Sequence, residues 1–165
     1  MRRYVLNLGA GLQGLRLQEA QLPVPGRGEA LVRVRAVSLD YRGISILLHG
    51  RYPLPVKPDV VAVSAGAGEV VEVGPGVDAV RPGAAGARLD LSALAGRTVP
   101  RGGDRDQLGG SLDGMLTEYA CLPQHALVPV PSHLGDEEAA TLPCAGLTAG
   151  HAVTSAGAWV GRTPC

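Results

Sequence analysis

The stretch Gly66-Ala-Gly-Glu-Val-Val-Glu-Val-Gly-Pro-Gly76 decides the fold of this chain. Its centre is a run of valines around Val70, and β-branched side chains suit a pleated, half-buried surface. Gly66 and Gly68 stand at the entry, where a missing Cβ lets the backbone bend or approach a neighbouring strand. Gly74-Pro-Gly76 ends the segment, because proline fixes φ and glycine supplies a positive φ. The pattern predicts one bent strand followed by a tight turn.

The clearest second strand runs from Glu29 to Val37. Its alternate residues from Ala30 to Ala36 are all small and apolar, while the opposite face is mixed. One buried face of this kind indicates an antiparallel barrel or sandwich. Four shorter segments are also predicted as strands: Tyr4–Leu8, Leu15–Glu19, Val60–Val63 and Leu127–Val130.

Three helices are predicted. The first runs from Asp40, which can cap it, to Leu48, with Ile44, Leu47 and Leu48 on one side. The second begins at Ser132 or Gly135 and is interrupted by Pro143, and the third runs over Cys144–Ala156. Between the strands, residues 84–110 show no convincing period, so an irregular excursion is expected there.

Composition limits the classes of function. The 165 residues carry 15 basic and 15 acidic side chains, so no electrostatic signature for nucleic acid is present. The three cysteines form no C-x-x-C pair, which favours a reduced, cytoplasmic compartment. No apolar run reaches about 18 residues, so no membrane span is expected.

Five segments in order resemble the medium-chain dehydrogenase/reductase family, specifically its zinc-free quinone oxidoreductase-like branch. They are Pro23–Arg42, Gly50–Pro53, Gly66–Val77, Gly110–Tyr119 and Glu137–Ala149. The resemblance implies a mainly β fold with short helices: a GroES-like, partly open antiparallel β-barrel over residues 1–131. Residues 132–165 would form the helical start of a truncated cofactor-binding domain, and a complete Rossmann domain is absent.

The resemblance also implies a function. It points to an NAD(P)-dependent, zinc-independent reductase of quinones, enones or other carbonyl compounds, represented here by its N-terminal domain and inactive alone. The expected partners are a small carbonyl or quinone substrate and, as an open alternative, a second copy of the chain in a homodimer. Whether this chain is itself an enzyme stays open. The alternatives are a non-catalytic β-barrel module or a degraded pseudo-enzyme, with a co-chaperonin-like protein ranked far below them.

By the same resemblance, Asp40, Tyr41 and Tyr52 line the substrate and nicotinamide cleft. Arg42 would contact the phosphates or ribose of NADP or NAD, and Thr148 would lie near the nicotinamide. Structural roles remain open for the same residues, with Asp40 as a helix cap, Tyr52 as a packing residue and Arg42 as a solvated side chain. No single acid or base is demanded by the sequence, since hydride transfer is cofactor chemistry.

No metal site is expected. Where zinc-dependent relatives place their ligands, this chain reads Leu39-Asp40 and Val63-Ser64-Ala65, and Ser64 and Ala65 cannot supply the donors that zinc needs. The four histidines are scattered and are expected on the surface.

The cofactor fold is the largest departure from the family pattern. Binding a dinucleotide needs a strand, a Gly-rich turn and a helix N-terminus, and no such junction occurs in the sequence. One hypothesis links this to the irregular patch: the reading frame drifts within Ala84–Leu108, and the chain is a truncated relative.

Overall fold

The structure is a computed structural model that describes residues 1–50, 52–83, 85–88 and 107–155, with the backbone alone for 85–88. The strands are β1 (Arg2–Leu6), β2 (Leu15–Glu19), β3 (Glu29–Ser38), β4 (Val60–Val61), β5 (Ala65–Val73), β6 (Ala85–Arg88), β7 (Tyr119–Pro123) and β8 (Leu127–Pro129). The helices are α1 (Tyr41–His49), α2 (Asp136–Thr141) and α3 (Leu147–Ser155). Short 3₁₀ turns lie at Gly11–Gly14 and Gln124–Ala126, and a π-helical turn, Leu142–Gly146, joins α2 to α3.

The strands form two antiparallel sheets. One has the order β2-β1-β4, and the other has the order β7-β3-β5-β6-β8. Residues 114–118 bridge them by backbone hydrogen bonds. Met115 N donates to Val63 O, Tyr4 N donates to Leu116 O, and Val34 N donates to Glu118 O. The two sheets therefore wrap around a shared interior, as expected for a partly open antiparallel barrel with short helices.

The stretch from Gly66 to Gly76 forms most of β5 and the turn after it, and its glycines allow the close approach and the turn that the sequence predicts. Gly68 faces β3 so closely that a Cβ there would collide with the carbonyl oxygen of Arg33. The β3–β5 register shifts just beyond that point, where Arg35 is an extra residue between the pairs Val34–Gly68 and Ala36–Ala67. The bulge and the missing Cβ together bend the pair.

The turn after β5 is equally constrained. Gly76 has a φ of 79°, the left-handed region that favours glycine. A Cβ on Gly74 would collide with the carbonyl oxygen of Gly26, and Gly74 N donates to Glu29 O. The turn formed by Gly74-Pro75-Gly76 therefore packs directly against the start of β3.

The core consists of two larger clusters and one smaller one. The first lies under the five-stranded sheet and includes Val32, Val70, Met115 and Leu122. The second joins α1 to the three-stranded sheet and contains Leu6, Ile46, Val60, Ala62 and Val63. The third consists of small residues, Ala67, Ala139 and Ala140, where α2 packs on the five-stranded sheet. The boundary at residue 131 stays a prediction, although α2 rests directly on the barrel.

Three local expectations are wrong. In α1 the residues Ile44, Leu47 and Leu48 do not share one side: Leu47 packs on the core cluster that contains buried Ile46, whereas Ile44 and Leu48 are 48% and 46% exposed. The helix expected from Cys144 begins as an α-helix only at Leu147, since Pro143 lies in the π-helical turn.

The third correction concerns residues 84–110, expected to be irregular. Ala85–Arg88 form β6 between β5 and β8, and residues 107–110 are buried. Residues 84 and 89–106 lie outside the described part, as does most of the segment invoked for the shifted reading frame.

Candidate functional site

A polar cluster surrounds the N-terminus of α1 and contains Asp40, Arg42, Tyr52, Ser64 and Gln107; we call it the α1 cluster. Asp40 is the N-cap: its backbone is extended, and its Oδ1 accepts a hydrogen bond of 2.8 Å from Gly43 N. The helix ends at Gly50, whose φ is 61°. The predicted cap is thus confirmed, and it fixes the direction of the Asp40 carboxylate.

Ser64 is the second partner of that carboxylate. Its hydroxyl donates to Asp40 Oδ2 at 2.6 Å, and the residue is only 2% exposed. Short O–H···O⁻ bonds of this length are charge-assisted and among the stronger ones in proteins. With Gly43 N on one oxygen and Ser64 on the other, the carboxylate is held at both ends.

Ser64 is placed by an unusual backbone. The preceding residue, Val63, is buried and has a φ of 70°, which is a genuine outlier for a β-branched residue. Its conformation is enforced by close neighbours. A Cβ on Gly109 would lie 3.0 Å from Val63 C, and Met115 N donates to Val63 O at 2.7 Å. Strain of this kind concentrates at functional sites.

Arg42 points into the protein. Its Nη1 donates to Gln107 Oε1 at 3.0 Å, and its Nη2 donates to Leu108 O at 3.2 Å. The guanidinium carbon lies 5.8 Å from the centroid of the Tyr52 ring, within the range of a cation–π contact. The guanidinium is therefore held by the protein, and its contact with the phosphates or ribose of NADP or NAD stays a prediction.

Gln107 is almost completely buried at 2% exposure. Its backbone N donates to Ser111 Oγ, and its carbonyl accepts from Leu112 N at 2.8 Å, so a tight turn fixes it. Its Nε2 is buried and has no hydrogen-bond partner among the described residues. A native protein keeps few such groups, and each calls for an explanation.

Of the five residues named from the sequence, the structure brings Arg42 and Tyr52 into contact, and Asp40 lies two residues before Arg42 as the cap of the same helix. Tyr52 packs on the Leu6–Ile46 core cluster. Tyr41 is 83% exposed and shares an outer stripe of α1 with Ile44 and Leu48.

Thr148 is exposed on α3, and no hydrogen bond or core contact among the described residues joins it to the α1 cluster. Its placement by the nicotinamide stays a prediction.

Sequence reasoning missed two members of the cluster. Ser64 was considered only as a residue unable to bind zinc, and Gln107 fell within the stretch expected to be irregular. Its glycine-rich, polar surroundings carry no signal of burial.

Among the described residues, no three histidine, cysteine or acidic side chains lie close enough to share a metal ion. None of the described helices has the length and apolar character needed to cross a membrane.

The fold is a barrel with a capped helix and a polar cluster at its edge. Comparison of the sequence with models of known protein families identifies the class of domain. Residues 26–132 match the model of the alcohol dehydrogenase GroES-like domain. The chain therefore belongs to the alcohol dehydrogenase-like family of medium-chain dehydrogenases and reductases.

Particular relatives refine this placement. The zinc-type alcohol dehydrogenase-like protein C1773.06c of Schizosaccharomyces pombe is 39% identical over 85% of this chain and 40% of its own length. The chloroplastic quinone-oxidoreductase QR1 of Triphysaria versicolor is 32% identical over 88% of this chain and 39% of its own length. The cobalt- and zinc-bound thermostable alcohol dehydrogenase of Pyrobaculum aerophilum is 30% identical, with a TM-score of 0.81 over 94% of this chain and 48% of that one.

The chain thus spans about 40% of the length of the curated relatives it matches. Both zinc-type and quinone-type proteins occur among them.

Proposed function

We propose that this chain forms the substrate side of an NAD(P)-dependent, zinc-independent oxidoreductase that reduces quinones, enones or similar carbonyl compounds. The observation that carries the proposal is the α1 cluster, in which the Asp40 carboxylate is held at 2.6 Å by Ser64. The quinone-oxidoreductase QR1 among the relatives supports the substrate class.

Zinc independence is supported by the donors present. The α1 cluster offers a carboxylate, a hydroxyl, a phenol, an amide and a guanidinium, with no thiolate or imidazole in it. A catalytic zinc takes three protein ligands, mostly histidine, cysteine or a carboxylate. The Asp40 carboxylate is the one anionic donor of the cluster, and both its oxygens already accept hydrogen bonds.

The nicotinamide cofactor fits this site only in part. A bound nicotinamide would supply the hydride. The one short turn of the described part that leads from a strand into an α-helix, from β3 to α1, reads Leu39-Asp40 and is not the Gly-rich turn that holds a pyrophosphate. We therefore propose that the described residues contribute the wall of the cleft and show little activity alone.

The roles of the side chains follow from their surroundings. Tyr52 has a hydroxyl that makes no hydrogen bond to another described residue, so it is free to donate to a substrate carbonyl. Asp40 accepts hydrogen bonds and fixes the start of α1. The stripe formed by Tyr41, Ile44 and Leu48 gives an apolar surface that excludes water from a bound ring.

The proposal is tested with the purified chain and three probes: duroquinone, NADPH and zinc. We expect saturable duroquinone binding, seen as chemical-shift changes, that weakens about fivefold in Tyr52→Phe through loss of one hydrogen bond. NADPH is expected to show no micromolar binding. Zinc content by mass spectrometry should stay far below one per chain.

Each result bears on one part of the proposal. Stoichiometric zinc whose removal by EDTA weakens duroquinone binding would contradict zinc independence. Failure of wild-type chain to bind duroquinone would favour the non-catalytic barrel. Saturable micromolar NADPH binding would contradict the limited role given to this chain and support an enzyme in its own right.

A further inference from the structure

We infer that Arg42 is a positioning residue for Tyr52, and that buried Gln107 holds Arg42 in place. This rests on the proposed function, in which the Tyr52 hydroxyl meets the substrate. It adds a role inside the protein to the cofactor-phosphate role that the sequence suggested for Arg42.

The first step is the geometry of the guanidinium. It hydrogen-bonds Gln107 Oε1 at 3.0 Å and Leu108 O at 3.2 Å, and it lies 5.8 Å from the Tyr52 ring centroid. A planar guanidinium can donate in its plane and stack through its face at the same time, whereas an ammonium group cannot. Arg42 thus links the Gln107 side chain and the Leu108 carbonyl, on one side, to the Tyr52 ring, on the other.

The second step is the unusual state of Gln107. Its Oε1 faces Arg42, so its Nε2 points elsewhere and is buried with no partner in the part of the chain that the structure describes. An apolar residue of similar size would avoid that unpaired donor. The glutamine is explained if its oxygen is needed to orient Arg42, because a leucine would leave the guanidinium without that acceptor.

The third step is the attachment of Tyr52. It follows α1 in a proline-containing segment and packs on the core through its ring. No hydrogen bond to a described residue fixes its hydroxyl. The contact with Arg42 therefore adds to the core packing in fixing the orientation of the ring, and with it the direction of the hydroxyl.

The test labels the full chain with fluorotyrosine and records fluorine NMR spectra. The chain has four tyrosines, and the Tyr52→Phe variant identifies the resonance of Tyr52. In Arg42→Met, the Tyr52 resonance is expected to move toward that of exposed Tyr41, while those of Tyr4 and Tyr119 stay in place. Arg42→Lys should not restore the wild-type position.

Gln107 supplies a second pair of variants. Gln107→Leu removes both the acceptor and the unpaired donor, so the chain should stay folded while the Tyr52 resonance moves as in Arg42→Met. Gln107→Glu keeps an acceptor for Arg42 and should retain the wild-type resonance. Arg27→Met, at an exposed arginine remote from the cluster, is the matched control and should change nothing at Tyr52.

Titration with duroquinone measures whether the position of the Tyr52 ring affects the affinity of the chain for this quinone. Arg42→Met and Tyr52→Phe should each weaken binding about fivefold, and the double variant should be no weaker than either, because both remove the same contact.

An unchanged Tyr52 resonance in folded Arg42→Met or, should that variant unfold, in Gln107→Leu overturns the inference. Additive losses in the double variant overturn it as well. If the wild-type chain binds no duroquinone, the proposed function fails, and the spectra still decide whether Arg42 positions Tyr52.

Discussion

The β3–β5 pair and the region of the α1 cluster differ in how closely they follow the ordinary rules of backbone conformation and hydrogen bonding. Between β3 and β5, small residues such as Gly68 let two backbones approach, and the pairing continues on either side of the bulge. Beside the α1 cluster, Val63 holds a positive φ, and within the cluster Gln107 has a buried Nε2 that finds no hydrogen-bond partner among the described residues. The first region follows the local rules of folding, and the second departs from them at two positions. Such departures are expected where a protein has a function to serve.

The largest effect should come from adding one methyl group to the first region. In Gly68→Ala the new Cβ would meet the carbonyl oxygen of Arg33 and the Cα of Val34, both on the neighbouring backbone. Since backbone cannot move aside without breaking the pair, we expect a loss of at least about 3 kcal/mol in the free energy of unfolding in urea.

Gly150→Ala is the matched control for that change. Gly150 lies in α3 with no atom close to an added Cβ. Alanine is a better helix former, so this variant should be neutral or up to about 1 kcal/mol more stable. Equal stability of the two variants would show that β3 and β5 are not in close contact.

The contrast between the regions also explains what the sequence could predict. Gly66, Gly68 and Gly76 are local signals, because a glycine before a valine run or after a proline has few other uses. The cap at Asp40 is equally local, since donor and acceptor are three residues apart. These features were predicted correctly.

The α1 cluster was only half predicted because its contacts are distant in sequence. Arg42 meets Gln107 across 65 residues, and Asp40 meets Ser64 across 24. No period or propensity marks such pairs. The burial of Gln107 follows from the turn that ends at Leu112 and from the strained backbone at Val63. The positive φ at Val63 is not predictable from the sequence, because β-branched residues rarely adopt it.

The second prediction removes the carboxylate at the centre of the α1 cluster. Asp40→Ala loses the helix cap, worth about 1 kcal/mol, and leaves the buried Ser64 hydroxyl without its acceptor, at a further cost of about 1–3 kcal/mol. We expect a total loss of about 2–4 kcal/mol in urea unfolding.

The Asp40→Asn variant removes the negative charge of the side chain but keeps groups that can form hydrogen bonds with Gly43 N and the Ser64 hydroxyl. Its amide oxygen can still cap the helix, and the Ser64 hydroxyl can turn to accept from its NH₂ group. We expect a loss within about 1 kcal/mol. A loss equal to that of Asp40→Ala would mean that the negative charge itself, near the positive end of α1, matters more than the two hydrogen bonds.

The third prediction measures the strain at Val63. Alanine and glycine both remove the buried side chain, and glycine ordinarily costs about 0.5–1 kcal/mol more than alanine. At a φ of 70° an L-residue is strained by about 1–2 kcal/mol, which glycine avoids. Val63→Gly should therefore be as stable as Val63→Ala or more stable by up to about 1.5 kcal/mol.

The same two substitutions at Val70, a fully buried residue in the centre of β5, provide the comparison. Val70 carries no positive φ, so Val70→Gly should be the less stable of that pair. If the order of glycine and alanine is the same at both positions, the strain at Val63 is absent and the contrast between the two regions is weaker.

The smallest effect is expected outside both regions, at the exposed pair formed by Arg2 and Glu118. Hydrogen bonds from the Arg2 backbone N and then from its side chain lower the pKa of the Glu118 carboxyl. A lowered pKa in the folded state stabilises the protein above the unfolded pKa of glutamate, and this contribution is lost as pH falls through the folded value. Glu118→Gln should thus be slightly less stable than wild type near neutral pH, and the difference should shrink in acid and in high salt. Glu72→Gln, at an exposed glutamate without an ion pair among the described residues, should show no such pH dependence. A difference for Glu118→Gln that persists unchanged into acid would mean that its bonds to Arg2 do not favour the ionised carboxyl.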